Sequence, residues 1–335
     1  MHLHVSVVVW RGSIAESRHC IAVSLSGPDD AAPADDLVTT LRSAAKPFQL
    51  VPLVERGHAA RWGWSDEQLA VMAASHSGSA YHVGLVRGIL ERIGCTEDDF
   101  ACGDHDVFDP ESRAHLAAHP DDRSPIYNNC SGKHAGMLCL AKSEGWPLRG
   151  YEQPGHPLQQ SMHHAVAEIC GLQVSAVPTA IDGCNIPVFA MPLSAMARGY
   201  ARLATAAEGI APRDRALARI RAAMTAHPVA TDGAGRFNTT LMQVTGGRIL
   251  AKGGAEGLEC IGITSRGMGL ALKCEDGEAR GVVPATVAVL EHLGELSPCE
   301  AAELAAFRRP QVRNPVGRTT GLLEARVRAG APVAE

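Results

Sequence analysis

Three short apolar runs near the C-terminal end decide the fold: GRILAK (247–252), GLECIGIT (257–264) and MGLALKCE (268–275). Each run favours β-structure and glycine-rich turns separate them, so the sequence predicts three short strands. Two further β-rich runs open the chain, LHVSVVVW (3–10) and CIAVSLS (20–26), and a polar turn between them predicts an antiparallel pair.

Helical patterns fill most of the chain between these two groups of strands. The sequence therefore predicts an α/β protein of the α+β type, with a five-stranded antiparallel sheet built from both chain ends and flanked by helices. We expect one catalytic unit over 1–335. Its sheet lobe would comprise 1–35 and 240–330, with a mainly helical lobe, 36–239, inserted between them.

Composition excludes several classes of protein. The 335 residues are 46% hydrophobic and 20% charged, which is typical of a globular chain. A net charge of −5 without long basic runs argues against nucleic acid or an anionic membrane as a partner. The ten cysteines are widely spaced, with no CxxC pair and no secretory segment. We therefore expect a reducing, cytoplasmic location in which most of these thiols are buried.

A Ser-x-x-Lys motif, Ser43 to Lys46, stands where a loop meets a predicted helix. A neutral lysine there can accept the serine proton, and burial or nearby cations would lower its pKa. Arg42 could hold Lys46 neutral or bind a carboxylate. Pro47 is tolerated only in a first turn, which predicts that the helix starts near Lys46. Chance occurrence is the alternative explanation, because this motif is short.

Two other polar segments are candidates for chemistry. The hydroxyl-rich string SHSGS (75–79) follows a predicted helix, and its serines could either act in a site or cap the next helix. Lys252 ends a predicted strand before two glycines that leave the backbone bare. The alternative for Lys252 is a solvated side chain at a hairpin.

The most unusual string is YNNCSGKHAGM (127–137), where polar groups crowd in front of an apolar helix. A structural cap needs one such residue, so the string indicates function. DGCNIP (182–187) likewise places an acid and a thiol in a turn that we expect to open a helix. Cys130 and Cys184 are the cysteines in polar, glycine-bearing loops, and two soft ligands would favour zinc if the loops meet. Their spacing gives no direct support, and the remaining histidines show no ligand spacing.

Four strings resemble the asparaginase II family, the class 3, rhizobial-type, zinc-containing L-asparaginases. They are RSAAKPFQ (42–49), NNCSGKHAGM (128–137), DGCNIP (182–187) and AKGGAEG (251–257). The resemblance extends from Trp10 to the final helix. It implies a fold similar to that of serine β-lactamases and penicillin-binding proteins, in which a Ser-x-x-Lys opens a helix. A lactamase itself is disfavoured because no Ser-Asp-Asn is present and the Lys252 motif lacks its hydroxyl.

The resemblance also implies roles for individual residues. Two Ser–Lys pairs would be catalytic, three residues would bind zinc, and three more would line the substrate site. The catalytic residues are Ser43, Lys46, Ser75 and Lys252; the zinc ligands are Cys130, Lys133 and Cys184; the lining residues are Arg42, His134 and Asp182.

We therefore expect an L-asparaginase that hydrolyses L-asparagine to L-aspartate and ammonia. Ser43 would attack, Lys46 or Lys252 would act as the base, and Ser75 would relay the proton. Because two thiolates and an amine donate strongly, zinc should serve a positioning or structural role. We expect a homodimer acting on a small molecule, with no nucleic acid or membrane partner. The alternatives are a penicillin-recognising acylase and a non-catalytic protein that binds an amino acid or zinc.

Overall fold

The computed structural model of the chain describes residues 3–30, 36–207, 209 and 211–329. These residues form ten strands: β1 (Leu3–Arg11), β2 (Ile14–Ser26), β3 (Val38–Thr40), β4 (Thr179–Ile181), β5 (Pro187–Pro192), β6 (Ile249–Gly254), β7 (Leu258–Ile263), β8 (Met268–Cys274), β9 (Gln311–Arg313) and β10 (Thr319–Ala329).

The helices in the same part of the chain range from one turn to four. They are α1 (Lys46–Glu55), α2 (His58–Trp62), α3 (Asp66–Met72), α4 (Ala80–Ile93), α5 (Pro110–Ala118), α6 (Ser131–Glu144), α7 (Pro157–Ile169), α8 (Leu193–Thr205), α9 (Pro212–Ala226), α10 (Pro228–Thr231), α11 (Phe237–Val244), α12 (Ala279–His292), α13 (Pro298–Glu303) and α14 (Ala305–Arg308). None of them is both long enough and apolar enough to cross a bilayer.

Both groups of predicted strands belong to one antiparallel sheet, with the order β6-β7-β8-β2-β1-β10-β9. The mixed α/β class and the antiparallel sheet with flanking helices are thus confirmed. The predicted number of five strands is wrong, because β9 and β10 extend the sheet to seven. The similarity to the serine β-lactamase fold stays a prediction.

Strand β10 lies in a segment rich in proline and arginine for which the sequence predicted no strand. It pairs with β1 along most of its length, with Val5 opposite Val327 and Val7 opposite Ala325. The apolar residues of TTGLLEARVRA alternate with charged ones, which is the pattern of a strand with one buried face. The arginines and the glutamate on its open face hid this alternation.

Two helices cover opposite faces of the sheet, and glycines allow their close approach. A Cβ at Gly269 in β8 would lie 1.7 Å from the carbonyl oxygen of Ala197 in α8. A Cβ at Gly281 in α12 would lie 3.0 Å from Cys274 Sγ, also in β8. Successive side chains of a strand point to opposite faces, so the odd position 269 and the even position 274 place α8 and α12 on opposite sides.

The chain divides into two compact units. The sheet unit comprises Met1–Ala44, Pro192–Ala204 and Thr240–Glu335, and the helical unit comprises Ala45–Met191 and Thr205–Thr239. The sequence-based boundaries at 35/36 and 239/240 stay a prediction. Residues 1, 2 and 31–35 of the predicted sheet lobe, together with 330 at its other end, lie outside the described residues.

The helical unit is organised around helix α1. Residues 46–53 of α1 are all buried, and the helix packs against α6, α7 and α9. The neighbouring helix α3 begins with a capping box, in which Ser65 and Gln68 bond to each other's backbone N–H groups. Helix α6 packs against both α1 and α3. The start of α1 and the start of α6 therefore belong to one packed core, and both carry predicted site residues.

Candidate active site

The Ser-x-x-Lys motif lies at the start of α1. A 3-10 turn over Arg42–Ala45 leads directly into the helix, which begins at Lys46 as predicted. Ser43 is half-buried in this turn. The backbone of Arg42 has φ of 45°, which is rare for a residue with a side chain, and its guanidinium lies 3.9 Å from the Glu256 carboxylate. Backbone strain of this kind concentrates at functional sites.

Lys46 and Ser75 form a buried pair inside the helical unit. Lys46 Nζ donates to Ser75 Oγ at 2.9 Å and to the carbonyl oxygen of Asn129 at 3.3 Å. The lysine side chain is 1% exposed. Burial lowers the pKa of Lys46, and the nearby thiol of Cys130 only partly opposes this effect. The pair therefore provides an amine that loses its proton readily, next to a hydroxyl.

The loop that carries Ser75 is held in place by His76. The Nδ1 atom of His76 accepts from the backbone N–H of Gly78 at 3.1 Å, so its Nε2–H donates to Ser131 Oγ at 2.9 Å. Burial lowers the pKa of His76 well below its ordinary value, which keeps the ring neutral. Ser131 begins α6, so the two polar segments are joined. His76 and Ser131 were not predicted as site residues, although both belong to the polar strings 75–79 and 127–137.

Close packing fixes the same loop. Gly78 has φ of 74°, and a Cβ there would lie 2.8 Å from Val107 Cγ1 and 2.9 Å from the carbonyl oxygen of Tyr127. Gly233 approaches from another segment, where a Cβ would lie 2.8 Å from Ser77 Oγ. These contacts leave the serine-rich loop little freedom to move.

Cys130, Lys133 and Cys184 lie together, as the resemblance implies. Lys133 Nζ donates to Cys184 Sγ at 2.9 Å, and the two thiols are hydrogen-bonded to each other. The thiol of Cys130 also lies 3.2 Å from Asn129 Oδ1. All three members are buried. Residues from distant parts of the sequence thus form one cluster.

The charges in this cluster are coupled. The hydrogen bond from Cys184, helped by the positive charges of Lys133 and Lys46, lowers the pKa of Cys130 despite the opposing effect of burial. The same bond and burial raise the pKa of Cys184, which is the donor. Burial lowers the pKa of Lys133, but the two sulfurs more than offset this and raise it overall. The cluster is best described as a buried thiolate beside an ammonium.

A glycine explains how the start of α6 reaches this position. A Cβ at Gly132 would lie only 2.2 Å from the carbonyl oxygen of Val71 in α3, and one at Gly136 would lie 3.3 Å from Met72. The first two turns of α6 therefore rest directly on α3. The glycines of the NNCSGKHAGM string are packing requirements as well as neighbours of the site.

Asp182 and Cys184 lie in the turn of a hairpin, and the expectation that this turn opens a helix is wrong. The turn joins β4 to β5, and α8 begins only at Leu193. Asp182 N donates to the carbonyl oxygen of Ile186 at 2.8 Å, and Asn185 has φ of 67°. Two β-branched or aromatic residues after the turn, Val188 and Phe189, fit the strand. Asp182 is half-buried, and its negative charge contributes to the raised pKa of Lys133.

His134 is fully buried within α6. Its Nδ1 atom lies 2.6 Å from the hydroxyl of Tyr151, which also accepts from the backbone N–H of Ala101 at 2.9 Å. The other ring nitrogen of His134, Nε2, is buried without a hydrogen-bond partner. Burial lowers the pKa of His134 well below its usual value. Its predicted contact with substrate stays a prediction, and Tyr151 is a partner that the sequence did not indicate.

Lys252 lies inside the sheet unit, on strand β6. Its side chain is 1% exposed and donates to the carbonyl oxygen of Gly253 at 2.9 Å, so a solvated hairpin lysine is the wrong interpretation. A Cβ at Gly254 would lie 3.1 Å from the carbonyl oxygen of Leu41. The glycines after Lys252 thus allow the segment that carries Arg42 and Ser43 to approach β6.

The donor set of Cys130, Lys133 and Cys184 fits zinc. Two soft sulfur ligands, one of them with a lowered pKa, lie beside an amine in a buried cluster. Two other clusters with three ligand atoms occur in the described part of the chain, and the sequence analysis missed both. They are His19, Cys274 and Asp276, and His115, His119 and Asp122.

Each unit therefore brings together part of the predicted site. The sheet unit contains Ser43 beside Arg42, with Lys252 on β6. The helical unit contains the other predicted residues, in which Lys46 contacts Ser75 and Lys133 contacts Cys184. The sequence could have indicated His115 and His119 as a pair of metal ligands, because a spacing of four residues places two histidines on one face of a helix.

Comparison with known proteins identifies a matching family. The family model described as L-asparaginase II matches residues 7–325. Among solved structures, Mglu in its native form in the presence of 4.3 M NaCl is similar, with a TM-score of 0.43 and 15% identity over 88% of this chain and 61% of that one. Mglu in its tris and glutamate form gives a TM-score of 0.41 and 16% identity, over 87% and 59%. The chain thus spans about three fifths of the length of these proteins. No curated protein matches it.

Proposed function

Because the chain belongs to the L-asparaginase II family, we propose that it hydrolyses the side-chain amide of L-asparagine to give L-aspartate and ammonia. The structural observation that best supports this proposal is the hydrogen bond from Lys46 Nζ to Ser75 Oγ, at 2.9 Å. A buried lysine that bonds a hydroxyl and has a lowered pKa is suited to accept and return a proton. Among the described residues, no carboxylate pairs with Lys46 to hold it charged.

Ser43 is the proposed nucleophile. Its Oγ forms a bond to the amide carbon of the substrate, and the hydroxyl proton passes to the base. The carbon–nitrogen bond then breaks, and the nitrogen takes up a proton and leaves as ammonia. Water cleaves the resulting ester by the reverse sequence of proton transfers, which releases aspartate and restores the serine. Backbone N–H groups at the start of α1 would bind the negatively charged oxygen.

Lys46 and Lys252 are both candidates for the base. For Lys46 the contact with Ser75 provides a route through a second hydroxyl, so Ser75 would relay the proton. Lys252 is equally buried. It lies on strand β6, which is approached by the carbonyl oxygen of Leu41, the residue two positions before Ser43. Lys46→Met and Lys252→Met would separate the contributions of the two lysines to proton transfer.

Charged groups would recognise the two ends of the amino acid. Arg42 would bind a carboxylate of the substrate, because a guanidinium matches a carboxylate in geometry and charge. Asp182 would bind the α-ammonium group or order its surroundings. His134 would line the site and remain neutral, because burial lowers its pKa.

A metal site belongs to the same proposal. Cys130, Lys133 and Cys184 would hold a zinc ion, and a bound ion would fix these side chains and add positive charge beside them. The role is structural or positional. Loss of turnover on chelation, with the fold intact by circular dichroism, would overturn that role.

An ammonia-release assay tests the function. The purified chain should release ammonia from L-asparagine, while glutamine, a chromogenic lactam and buffer serve as comparisons. Ser43→Ala and Lys252→Met should each reduce kcat/KM by about 10²- to 10⁴-fold. Turnover of the lactam alone would favour an acylase, and binding of asparagine without ammonia release would favour a non-catalytic protein. A Ser43→Ala variant with most of its activity would contradict the serine mechanism.

The homodimer and the cytoplasmic location are also part of the proposal. Light scattering during size-exclusion chromatography measures the mass of the particle directly. We expect twice the 35.3 kDa of one chain, and a single-chain mass would contradict the dimer without affecting the proposed chemistry.

A further inference from the structure

A second cluster of metal-ligating side chains lies in the helical unit, at the C-terminal end of α5. His115 is in the last turn of this helix, His119 follows it, and a 3-10 turn over Pro120–Asp122 brings Asp122 back toward both. His115 Nε2 lies 2.8 Å from Asp122 Oδ2. The imidazole rings of the two histidines are stacked, with centroids 4.6 Å apart.

The backbone holds the three side chains in this arrangement. The N–H of His119 donates to the carbonyl oxygen of His115 at 2.8 Å, and the N–H of Asp122 donates to that of His119 at 3.1 Å. One ligand atom from each residue lies within 4.8 Å of the other two. The cluster is therefore formed by local geometry, and it needs no rearrangement of the helix to gather three donors.

A hydrogen bond selects the ring form of His119 that can bind a metal. Its Nδ1–H donates to the carbonyl oxygen of His115 at 3.1 Å, which leaves the lone pair on Nε2. Histidines that ligate metals commonly donate their other ring N–H to a carbonyl or carboxylate in this way. In His115 the proton lies on Nε2, toward Asp122, but no described residue bonds its Nδ1. The proton can move there when a cation replaces it.

The electrostatic surroundings favour a cation. Six carboxylates and two arginines occur between residues 104 and 123. Arg123, the nearest arginine in sequence, pairs with Asp104 at 3.3 Å and with Asp106 at 3.1 Å, so its charge is compensated. The C-terminal end of α5 adds the negative end of a helix dipole. These features distinguish the cluster from a chance pair of exposed histidines.

The other three-ligand cluster, in the sheet unit, is closed to a metal by its hydrogen bonds. Arg280 Nε donates to His19 Nε2 at 3.2 Å, so the proton of His19 lies on Nδ1 and points to Asp276 at 2.6 Å. Cys274 also donates to Asp276, at 3.0 Å. The carboxylate is satisfied by its neighbours, and no lone pair of His19 faces the cluster.

We propose that His115, His119 and Asp122 bind one divalent transition-metal ion of the zinc and nickel class. Two imidazoles and one carboxylate are the ligands that such ions accept, and solvent would complete the coordination. The ion takes the place of the proton between His115 and Asp122 and links the last turn of α5 to the turn that follows. This site is separate from the Cys130, Lys133 and Cys184 cluster, and it does not depend on the proposed asparaginase activity.

Calorimetric titration with Ni²⁺ tests the site. The full chain is first freed of metal by chelation, and Ni²⁺ binding is fitted with two sites, one of which is the thiolate cluster. His119→Ala or Asp122→Asn should weaken binding at the other site alone, by about tenfold or more. His292→Ala is the matched control, because His292 is an exposed histidine in the last turn of α12. Equal affinities in the wild type and His119→Ala would overturn the proposal.

Cobalt spectroscopy separates the two metal sites. Co²⁺ bound to thiolates has an intense sulfur-to-metal charge-transfer absorption, which a site of imidazoles and carboxylate lacks. The Cys130→Ser variant should still bind Co²⁺, but without the charge-transfer band. Adding His119→Ala to that variant should abolish the remaining Co²⁺ binding. Binding that the Cys130→Ser substitution abolishes completely would contradict a separate site. All variants alter exposed side chains or a thiol, and circular dichroism checks their fold.

Discussion

Two lysines of the helical unit, Lys46 and Lys133, are both buried but have pKa values shifted in opposite directions. Lys46 contacts the hydroxyl of Ser75 and the carbonyl of Asn129, and burial lowers its pKa. Lys133 contacts the sulfur of Cys184 beside the thiolate of Cys130, and its pKa is raised. The desolvation cost applies to both, so the difference comes from their partners.

This difference assigns the two lysines to different tasks. A lysine whose pKa is lowered can exchange its proton, as a base must. A lysine held beside a thiolate stays charged, so it balances that charge or, after losing a proton, binds a metal. Neither property follows from burial alone, and the following substitutions test the distinction from the largest expected effect to the smallest.

Replacing Gly132 with alanine should disrupt both regions together. The new Cβ would lie 2.2 Å from the carbonyl oxygen of Val71, so α6 must move away from α3 and carry Cys130 and Lys133 with it. We expect a loss of more than about 4 kcal/mol in the free energy of unfolding, measured with urea. Gly84→Ala is the control, because no atom lies within 4 Å of its Cβ, and it should stabilise α4 by about 0.5–1 kcal/mol. Similar stabilities for the two variants would refute this account of α6.

Replacing Lys46 with methionine should remove activity and leave the fold. Methionine occupies similar volume but cannot accept a proton, so kcat/KM for asparagine should fall by about 10³-fold. The free energy of unfolding should fall by less than in the Lys133 variant, because the thiolate of Cys130 keeps Lys133 as its ammonium partner. If the variant unfolds as easily as the Lys133 variant, the distinction between the lysines is wrong.

Replacing Lys133 with methionine should have the opposite result on stability. It leaves the buried thiolate of Cys130 without its ammonium partner, and removal of one member of a buried ion pair costs about 3 kcal/mol or more. Urea denaturation measures this loss, and zinc content should fall with it. The double variant Lys133→Met with Cys130→Ala, which removes both charges, should recover part of the stability. No recovery would mean that the pair is not charged.

Replacing Tyr151 with phenylalanine should have the smallest effect. The hydroxyl of Tyr151 is hydrogen-bonded to His134 Nδ1 and accepts from the N–H of Ala101, so the substitution leaves both groups unpaired. The expected loss is about 1–2 kcal/mol in the free energy of unfolding, because buried polar groups without partners are costly. Since His134 neighbours Lys133 in α6, an unchanged zinc content would show that this contact supports packing alone.

The sequence predicted those parts of the fold whose signal is local. Pro47 after Lys46 fixed the start of α1, and the β-rich runs near both ends predicted five strands correctly. Strands β9 and β10 were missed because arginines and glutamate on their open faces resemble a polar tail. The turn at Asp182 was assigned to a helix, although Val188 and Phe189 after it favour a strand.

The site was predictable in composition but not in its contacts. Polar strings indicated Ser75, Cys130 and Cys184, yet spacing could not show that the two cysteines meet, because a hairpin returns one to the other. Gly132 carried no signal either, since its requirement comes from the Val71 carbonyl in another helix. Such contacts depend on tertiary packing, which local sequence does not encode.

The pairing of β1 with β10 has a consequence for the time at which the sheet can form. During synthesis β1 appears first and can pair with β2 at once, but its other edge stays open until residues 319–329 leave the ribosome. An open apolar edge is a site of misassociation, and contacts between distant segments form slowly. The nascent chain must therefore keep Val5, Val7 and Val9 from aggregating while all the residues between β1 and β10 are synthesised.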